Sequence, residues 1–418
     1  MPAVDPAEQR AFAVEAVRQL REAGHEAYLA GGCVRDQLLG RVPKDYDVAT
    51  SALPDAVRDL FGRRKTLAIG AAFGVITVRG PKHAGQIEVA TFREDHGYSD
   101  GRRPDSVTFS SAEADAQRRD FTINGLFFDP LAERVLDFVG GQADLAAGVV
   151  RAIGRPAERF GEDKLRMLRA VRFTATFDFQ LDADTLAAVQ QLAQGVANVS
   201  AERINAEMQR MLVDPHRVRA VRLLVESRLA PVVLPEIVAG DDPQRLERAA
   251  TALQQLQQPG FPLALAVLLQ EFCAPEGVEA VGRRWRLSRQ DTEAAEWLVA
   301  QRDALSDAAR QPWSRLQPIL VAPGVRDLVA LVEACWPERA EDLAFVRQAL
   351  KKPRSWLDPP PLISGDDLQA AGLQPGPAFG PLLRQLRAAQ LDGQIGDKEA
   401  ALSLARKLSR TARAKKGK

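Results

Sequence analysis

The chain has 418 residues, of which 46% are hydrophobic and 27% charged, and this apolar fraction excludes a wholly disordered protein. The 56 Lys and Arg residues nearly balance the 55 Asp and Glu residues, so the net charge of +1 indicates no class of partner. Three scattered cysteines, Cys33, Cys273 and Cys335, argue against a disulfide framework and a cysteine-based zinc site. With no apolar stretch of signal-peptide or membrane-span length, we expect a cytoplasmic protein without a membrane partner.

The predicted elements change character along the chain. Short strand-like runs (YLA, YDVAT, FGVITVRG, QIEVATF) alternate with helical segments first, whereas later runs such as KLRMLRAVRF and AERINAEMQRML have helical spacing. A Pro-rich break, KKPRSWLDPPPL, separates the last helical segment. We therefore predict an α+β fold with an α/β head (1–148), a helical neck (149–215), a helical body (216–350) and a helical tail (351–418).

A glycine turn is predicted early in the head, where a short strand runs into Gly31 and Gly32 and a helix begins near Cys33. Adjacent glycines let backbone amides approach a phosphate closely, and Arg35 on the first helical turn adds a guanidinium. A tight turn without a ligand is the alternative.

Two carboxylates follow in Asp45-Tyr46-Asp47. Because side chains alternate along a strand, both carboxylates fall on one face while Tyr46 and Val48 fall on the other. Carboxylates this close repel each other unless a cation lies between them, and hard oxygen ligands suit Mg²⁺ that arrives with nucleotide phosphates. Together with the glycine turn, the pair indicates a nucleotidyl-transfer centre; a polar strand end is the alternative.

Glu88 is a candidate third carboxylate. It lies in the strand QIEVATF, and its side chain falls on the opposite face of the strand from its apolar neighbours Ile87 and Val89. A solvent-facing strand residue is the alternative.

In the neck, Asp163, Arg166, Arg169 and Arg172 recur every three residues and would form one strip on a helix. A carboxylate accepts hydrogen bonds from an exocyclic amine, and a guanidinium donates to ring nitrogens and carbonyls, so such a strip could read the edges of C and A. A solvated face with ion pairs three residues apart is the alternative.

Six blocks of sequence resemble one family in the order in which they occur: LAGGCVRDQLLGRVPKDYDVATSALP, ATFREDHGYSDGRRPDSVTF, RRDFTINGLFFDP, LDFVGGQADL, RFGEDKLRMLRAVRFTATFDF and VSAERINAEMQRML. The family is that of the class II nucleotidyltransferases, which includes bacterial CCA-adding enzymes, A-adding enzymes and poly(A) polymerases. The resemblance spans about residues 28–212, with a weaker match in the tail, and implies a nucleotidyltransferase head with a mixed β-sheet.

The resemblance implies a role for each matching residue. It assigns Mg²⁺ binding and catalysis to Asp45 and Asp47, the triphosphate to Gly32 and Arg35, and the sugar site to Asn124. It assigns the reading of the CTP or ATP base to Glu162, Asp163 and Arg166. It assigns further contacts with the nucleotide to Arg119, Arg169 and Arg172.

The function implied by the resemblance is addition or repair of the 3′-terminal CCA of tRNA from CTP and ATP without a nucleic-acid template. Attack of the RNA 3′ hydroxyl on the α-phosphorus would release pyrophosphate. The alternatives are an enzyme that adds only A, a poly(A) polymerase, or an inactive RNA-binding protein on this scaffold. The sequence gives no oligomeric state.

The charge is unevenly distributed. Residues 1–150 hold 18 basic and 22 acidic side chains, whereas the last 16 residues hold seven basic side chains and no acidic one. We expect the basic end to contact RNA phosphates, with a frayed solvated end as the alternative.

Overall fold

The computed structural model describes residues 4–97, 106–240 and 242–416, with only the backbone described for 411–416. Residues 98–105, which belong to the sequence block ATFREDHGYSDGRRPDSVTF, lie outside the described residues. The chain forms two compact units, Met1–Gly240 and Asp241–Lys418. The predicted α+β fold is confirmed, and the finer division into neck, body and tail stays a prediction.

The first unit is built on a seven-stranded mixed sheet in the order β3-β4-β5-β2-β1-β8-β9. Strands β2 and β5 run parallel, and every other neighbouring pair in this sheet is antiparallel. The other strands form two short two-stranded ladders, β6-β7 and β10-β11. The strands are β1 (Ala27–Ala30), β2 (Asp47–Thr50), β3 (Thr66–Gly70), β4 (Val75–Arg79), β5 (Gln86–Thr91), β6 (Arg93–His96), β7 (Ser106–Phe109), β8 (Leu126–Asp129), β9 (Arg134–Asp137), β10 (Val149–Val150) and β11 (Gln180–Leu181).

Helices cover the sheet and then continue the unit. Helix α1 packs against β1, β2 and β5, and α4 contributes Ala112 and Ala116 to a cluster with Tyr28, Phe92 and Phe127. The helices of this unit are α1 (Pro6–Glu22), α2 (Gly32–Leu38), α3 (Pro54–Phe61), α4 (Ala112–Gln117), α5 (Gly141–Ala147), α6 (Pro156–Glu162), α7 (Leu165–Phe177), α8 (Ala183–Leu192), α9 (Ala201–Val213), α10 (Arg217–Glu226) and α11 (Ala230–Val233).

Helix α7 is the hub of the helical part of the first unit. Ten of its 13 residues are buried, and it packs against α9 and α10. The apolar spacing of KLRMLRAVRF predicted this helix, and its burial places its polar residues in contact with neighbouring elements rather than with bulk water.

The second unit is helical throughout its described residues. Its most buried helix is α13, whose sequence FPLALAVLL is apolar on all sides and packs against α12, α15 and α17. The helices are α12 (Pro243–Gln255), α13 (Phe261–Leu269), α14 (Pro275–Trp285), α15 (Arg289–Ala300), α16 (Trp313–Leu320), α17 (Val325–Cys335), α18 (Ala340–Leu350), α19 (Arg354–Leu357), α20 (Gly365–Ala370), α21 (Phe379–Leu391) and α22 (Lys398–Lys416).

The predicted Pro-rich break follows α18 and contains only the one-turn helix α19. Beyond it, α20, α21 and α22 share a small apolar cluster around Leu368, Leu386 and Ala401. In the part of the chain that the structure describes, no helix combines the length and the apolar character needed to cross a membrane.

Candidate active site

A cavity of about 520 Å³ in the first unit brings together most of the predicted site residues. Its walls come from the β1–α2 turn, the start of β2, the segment after α4, and the region around α7. The lining residues are Gly31, Gly32, Arg35, Asp47, Arg118, Arg119, Asp120, Asn124, Asp163, Arg166, Arg169 and Phe173. The other predicted residues, Asp45, Glu88, Glu162 and Arg172, do not line this cavity.

The glycine turn forms as predicted between β1 and α2. Gly31 has a φ of 72°, which favours glycine, and its amide donates a hydrogen bond to the carbonyl of Leu126 at 2.9 Å. A Cβ atom at Gly31 would lie 2.6 Å from Nη1 of Arg119. Position 31 therefore favours glycine for its backbone conformation, and the missing Cβ leaves room for the guanidinium of Arg119. Gly32 begins α2 at the cavity wall.

The carboxylate pair lies where the sheet reaches the cavity. Asp47 is the first residue of β2, and Asp45 precedes the strand. Exposure alternates as the sequence predicts, because Tyr46 and Val48 are buried and both aspartates are exposed. The parallel pairing of β2 with β5 sets Glu88 directly beside Asp47. The strand register thus brings the third candidate carboxylate to the pair.

The electrostatics of this cluster suit a cation. Asp47 is open to the cavity, but the protein around its carboxylate displaces water, and this desolvation, followed by the charge of Glu88, raises its pKa to about 6. Arg119 acts in the opposite direction, and Asp45 raises the pKa further. Within the described ranges, no three His, Cys, Asp or Glu side chains converge as a self-sufficient metal site. Mg²⁺ commonly takes one or two protein carboxylates and completes its shell with phosphates and water, so the donor set fits a cation that arrives with a triphosphate.

A buried chain of hydrogen bonds runs from Arg35 to α7. Nη1 of Arg35 donates to Oδ1 of Asn124, and Nδ2 of Asn124 donates to Oδ1 of Asp120 at 2.9 Å. Oδ2 of Asp120 accepts from Nε of Arg169 at 2.8 Å. Burial alone would raise the pKa of Asp120, but Arg169 and the bond from Asn124 outweigh it and hold the pKa at about 2. Asp120 is therefore a fixed anion of the site.

Two consecutive arginines that line the cavity, Arg118 and Arg119, directly follow the end of α4. Both pair with the buried carboxylate of Asp115, at 2.7 Å and 3.0 Å respectively. Nη1 of Arg119 also donates to the backbone carbonyl of Asn124 at 3.3 Å. The predicted nucleotide ligand Arg119 thus faces the carboxylates and the glycine turn from a fixed position.

The prediction that Asp163 lies on the same helix as the three arginines is wrong. Asp163 follows α6 in an extended conformation, and α7 begins only at Leu165. The physical reason is local. Oδ1 of Asp163 accepts a hydrogen bond from the amide of Leu165, the first residue of α7, at 3.0 Å, so this amide bonds to a side chain just before the helix and not to a preceding helical turn. Its Oδ2 accepts from Nη2 of Arg203 at 2.7 Å. Asp163 still reaches the cavity.

The three arginines of α7 have different surroundings. Arg166 is 9% exposed, and its guanidinium donates to Glu162 at 2.6 Å and to the backbone carbonyl of Arg118 at 3.2 Å. Arg169 pairs with Asp120 at the cavity wall. Arg172 pairs with the buried Glu207 of α9. It does not line the cavity, but its guanidinium lies 4.1 Å from the ring centre of the lining residue Phe173. The strip is therefore not an ordinary solvated face.

The sequence analysis missed several residues that hold the site together. One is Asp36, which pairs with Arg35 at 2.7 Å. The others are Asp115, Arg118, Asp120, Arg203 and Glu207. For Asp115, the spacing in ADAQRRD gives a signal, since an acid three and four residues before two arginines can pair with both on one helical turn. Arg203 and Glu207 lie 40 and 35 residues from their partners in sequence, so no local pattern indicates those pairs.

A larger cavity, of about 1240 Å³, lies in the second unit among α12, α13 and α17. Its wall contains Glu247, Glu271 and Glu333 together with Arg248. It lacks a glycine turn beside a carboxylate pair. The smaller cavity is thus the candidate active site.

Comparison with known families supports this choice of site. Residues 27–151 match the family described as "Poly A polymerase head domain". Residues 178–240 match the family described as "Probable RNA and SrmB- binding site of polymerase A". Both matches lie within the first unit.

Relatives extend the similarity over nearly the whole chain. The CCA-adding enzyme of Lactobacillus helveticus is 31% identical over 398 residues, covering 93% of this chain and 95% of the relative. That of Enterococcus faecalis is 32% identical over 406 residues, covering 94% and 95%. The crystal structure of the Bacillus stearothermophilus CCA-adding enzyme in complex with CTP is 30% identical, with a TM-score of 0.77, covering 97% of this chain and 99% of that one. The resemblance found in the sequence is confirmed, and the chain belongs to the CCA-adding enzyme family of nucleotidyltransferases.

Proposed function

We propose that this protein adds or repairs the 3′-terminal CCA of tRNA from CTP and ATP without a nucleic-acid template. The observation that carries the proposal is the single cavity in which the carboxylate Asp47 and the arginine Arg119 lie together with Asp163 and Arg166. We call the part of the cavity around Asp47 and Arg119 the reaction end, and the part around Asp163 and Arg166 the base end. Both ends share one cavity in a chain of the CCA-adding enzyme family. Cys33, Cys273 and Cys335 form no disulfide, which fits the cytoplasmic location predicted from the sequence.

The reaction end would bind the triphosphate. Gly32 at the start of α2 and the guanidinium of Arg119 line the same cavity as Asp47. Phosphate oxygens there would meet the amide of Gly32 and the guanidinium on one side and Asp47 on the other, while the amide of Gly31 is taken up by Leu126. Arg35 would support this end through its bond to Asn124. Such fixed donors stabilise charge that builds up during phosphoryl transfer.

Asp45 and Asp47 would hold Mg²⁺, and Glu88 lies beside Asp47 on the neighbouring strand. When bound, the ion would neutralise phosphate charge and lower the pKa of the attacking hydroxyl. A carboxylate of the pair would accept the proton of the tRNA 3′ hydroxyl as its oxygen bonds to the α-phosphorus. The bond from the α-phosphorus to the bridging oxygen then breaks, and pyrophosphate leaves.

The base end would select CTP and ATP. Cytosine and adenine each offer an exocyclic amine beside an accepting ring nitrogen, whereas uracil and guanine offer a carbonyl beside a ring N–H. Asp163 accepts one hydrogen bond on each oxygen within the protein, and each oxygen keeps a further lone pair for the amine. Arg166 would donate to the ring nitrogen. The same two side chains therefore match both accepted bases.

The test uses a tRNA transcript that ends before the CCA, incubated with each triphosphate separately. We expect CTP alone to give two added residues and ATP alone to give none, whereas a transcript ending in CC should accept one A. No incorporation of C would contradict the proposal, and long A tracts would indicate a poly(A) polymerase instead.

A further inference from the structure

Asp115 is a buried carboxylate that the proposed reaction does not use. It lies on α4, is 1% exposed, and both of its oxygens are engaged by arginines. Oδ1 accepts from Nε of Arg118 at 2.9 Å, and Oδ2 accepts from Nε and Nη2 of Arg119 at 3.2 and 3.0 Å. Oδ1 also accepts from the amide of Arg93 at 3.4 Å.

The two arginines connect Asp115 to opposite ends of the cavity. At the reaction end, Nη1 of Arg119 lies against Gly31, and the charge of Arg119 lowers the pKa of Asp47. At the base end, the backbone carbonyl of Arg118 accepts a hydrogen bond from Nη2 of Arg166 at 3.2 Å. The carboxylate of Asp115 thus holds Arg118 and Arg119, through which the contacts with Gly31 and Arg166 are made.

We propose that Asp115 is a positioning residue for the nucleotide, which holds Arg119 toward the triphosphate and the Arg118 carbonyl toward Arg166 in one rigid arrangement. This inference rests on the proposed function, since it assumes that a nucleoside triphosphate occupies the cavity. Asp115 itself touches no substrate in this account and acts only through the two arginines.

Simple electrostatics would give the opposite effect. Asp115 is a negative charge near a site for a polyanion, so removal of its charge alone should tighten triphosphate binding. If Asp115 positions the arginines, its removal should weaken binding, because Arg119 would be free to turn toward Asp47. A purely structural role would lower the melting temperature and leave triphosphate binding unchanged.

The decisive variant is Asp115→Asn, which keeps the shape and removes the charge. Its matched control is Asp129→Asn, since Asp129 is 2% exposed and pairs with Arg21 at 2.8 Å in the same unit, outside the cavity. The full-length proteins are compared by equilibrium binding of CTP and ATP, by kcat and KM for C addition, and by melting temperature.

We expect Asp115→Asn to raise the Kd of both nucleotides by at least about tenfold, the loss of one hydrogen-bonded charge contact. The control should lower the melting temperature without changing either Kd. Asp115→Glu, which keeps the charge on a longer arm, should recover part of the affinity. Unchanged or tighter nucleotide binding in a folded Asp115→Asn would overturn the proposal.

Should Asp115→Asn not fold, Asp115→Glu decides the question. Weaker nucleotide binding with a melting temperature near that of the wild type would support positioning, and wild-type binding would contradict it. The wild-type protein in the same assays separates this inference from the proposed function. If the wild type adds no C, the function fails; if it does, only the role of Asp115 is at stake.

Discussion

The two ends of the active-site cavity are held in place by different means. At the reaction end, backbone structure positions the groups: Gly31 by its positive φ, and Asp47 and Glu88 by the pairing of β2 with β5. At the base end, side-chain ion pairs do so, such as Asp163 with Arg203 and Arg166 with Glu162. Changes at the reaction end should thus remove chemistry for every nucleotide, and changes at the base end should alter the choice among nucleotides.

The largest effect is expected from Asp47→Asn. It leaves β2 and its neighbours in place but removes a charge at the point of reaction. We expect kcat/KM to fall by at least about a thousandfold for both C and A addition. The measurement is single-nucleotide incorporation into tRNA, with Asp129→Asn as the folded control. A loss confined to one of the two nucleotides would contradict the assignment of Asp47 to the shared reaction end.

Arg166→Lys should have a smaller and more selective effect. Lysine keeps the positive charge but loses the planar pair of donors, so contacts to the base edge and to the Arg118 carbonyl cannot both be kept. We expect about a ten- to hundredfold loss in kcat/KM for CTP and ATP, with relatively more UTP and GTP incorporation. Competition assays with all four triphosphates measure this. An equal loss of kcat/KM for all four triphosphates would contradict a selective role of the base end.

Asp120→Asn tests the buried chain of hydrogen bonds that runs from Arg35 through Asn124 and Asp120 to Arg169, by its effect on the free energy of unfolding. The folded pKa of Asp120 is about 2, below its usual 3.8, so its ionised form stabilises the fold above pH 4, and this contribution is lost as the pH falls from 4 toward 2. The variant should lose about 2 kcal/mol in free energy of unfolding at pH 7. Urea unfolding from pH 7 to pH 3 should show this difference shrinking below pH 4. A difference that stays constant over that range would contradict the buried pair with Arg169.

The smallest effect is expected outside the cavity, from deletion of residues 406–418. This segment contributes the run of basic residues at the end of the chain. If it contacts RNA phosphates, the deletion should weaken tRNA binding by about threefold at low salt and less at high salt. Nucleotide binding should not change. Equal effects on tRNA binding at both salt concentrations would refute a phosphate contact.

The same contrast explains what the sequence predicts well. The strand–glycine–helix turn at Gly31 and the exposed aspartates around buried Tyr46 follow from local spacing, and both occur as expected. The mixed sheet and the family followed from the resemblance rather than from periodicity. Even Glu88 needed only the strand pattern to be proposed, although its place beside Asp47 depends on the parallel register.

The base end was harder to predict because long-range pairs determine it. Three-residue spacing predicted Asp163 on one helix with Arg166. In the structure the Asp163 side chain accepts a hydrogen bond from the amide of Leu165, and α7 begins only at Leu165. The same spacing could not show that Arg172 pairs with Glu207, 35 residues away in sequence. Pairs of this kind depend on how α7 packs against α9.

In the proposed function, one active site adds C twice and then A, with no template. The most direct test is a time course in which tRNA lacking CCA is incubated with CTP and ATP together, and its 3′ ends are sequenced at each time. We predict that ends in C appear first, then CC, then CCA, and that extension stops there. Ends that carry only A, or that grow into tracts, would contradict the claim.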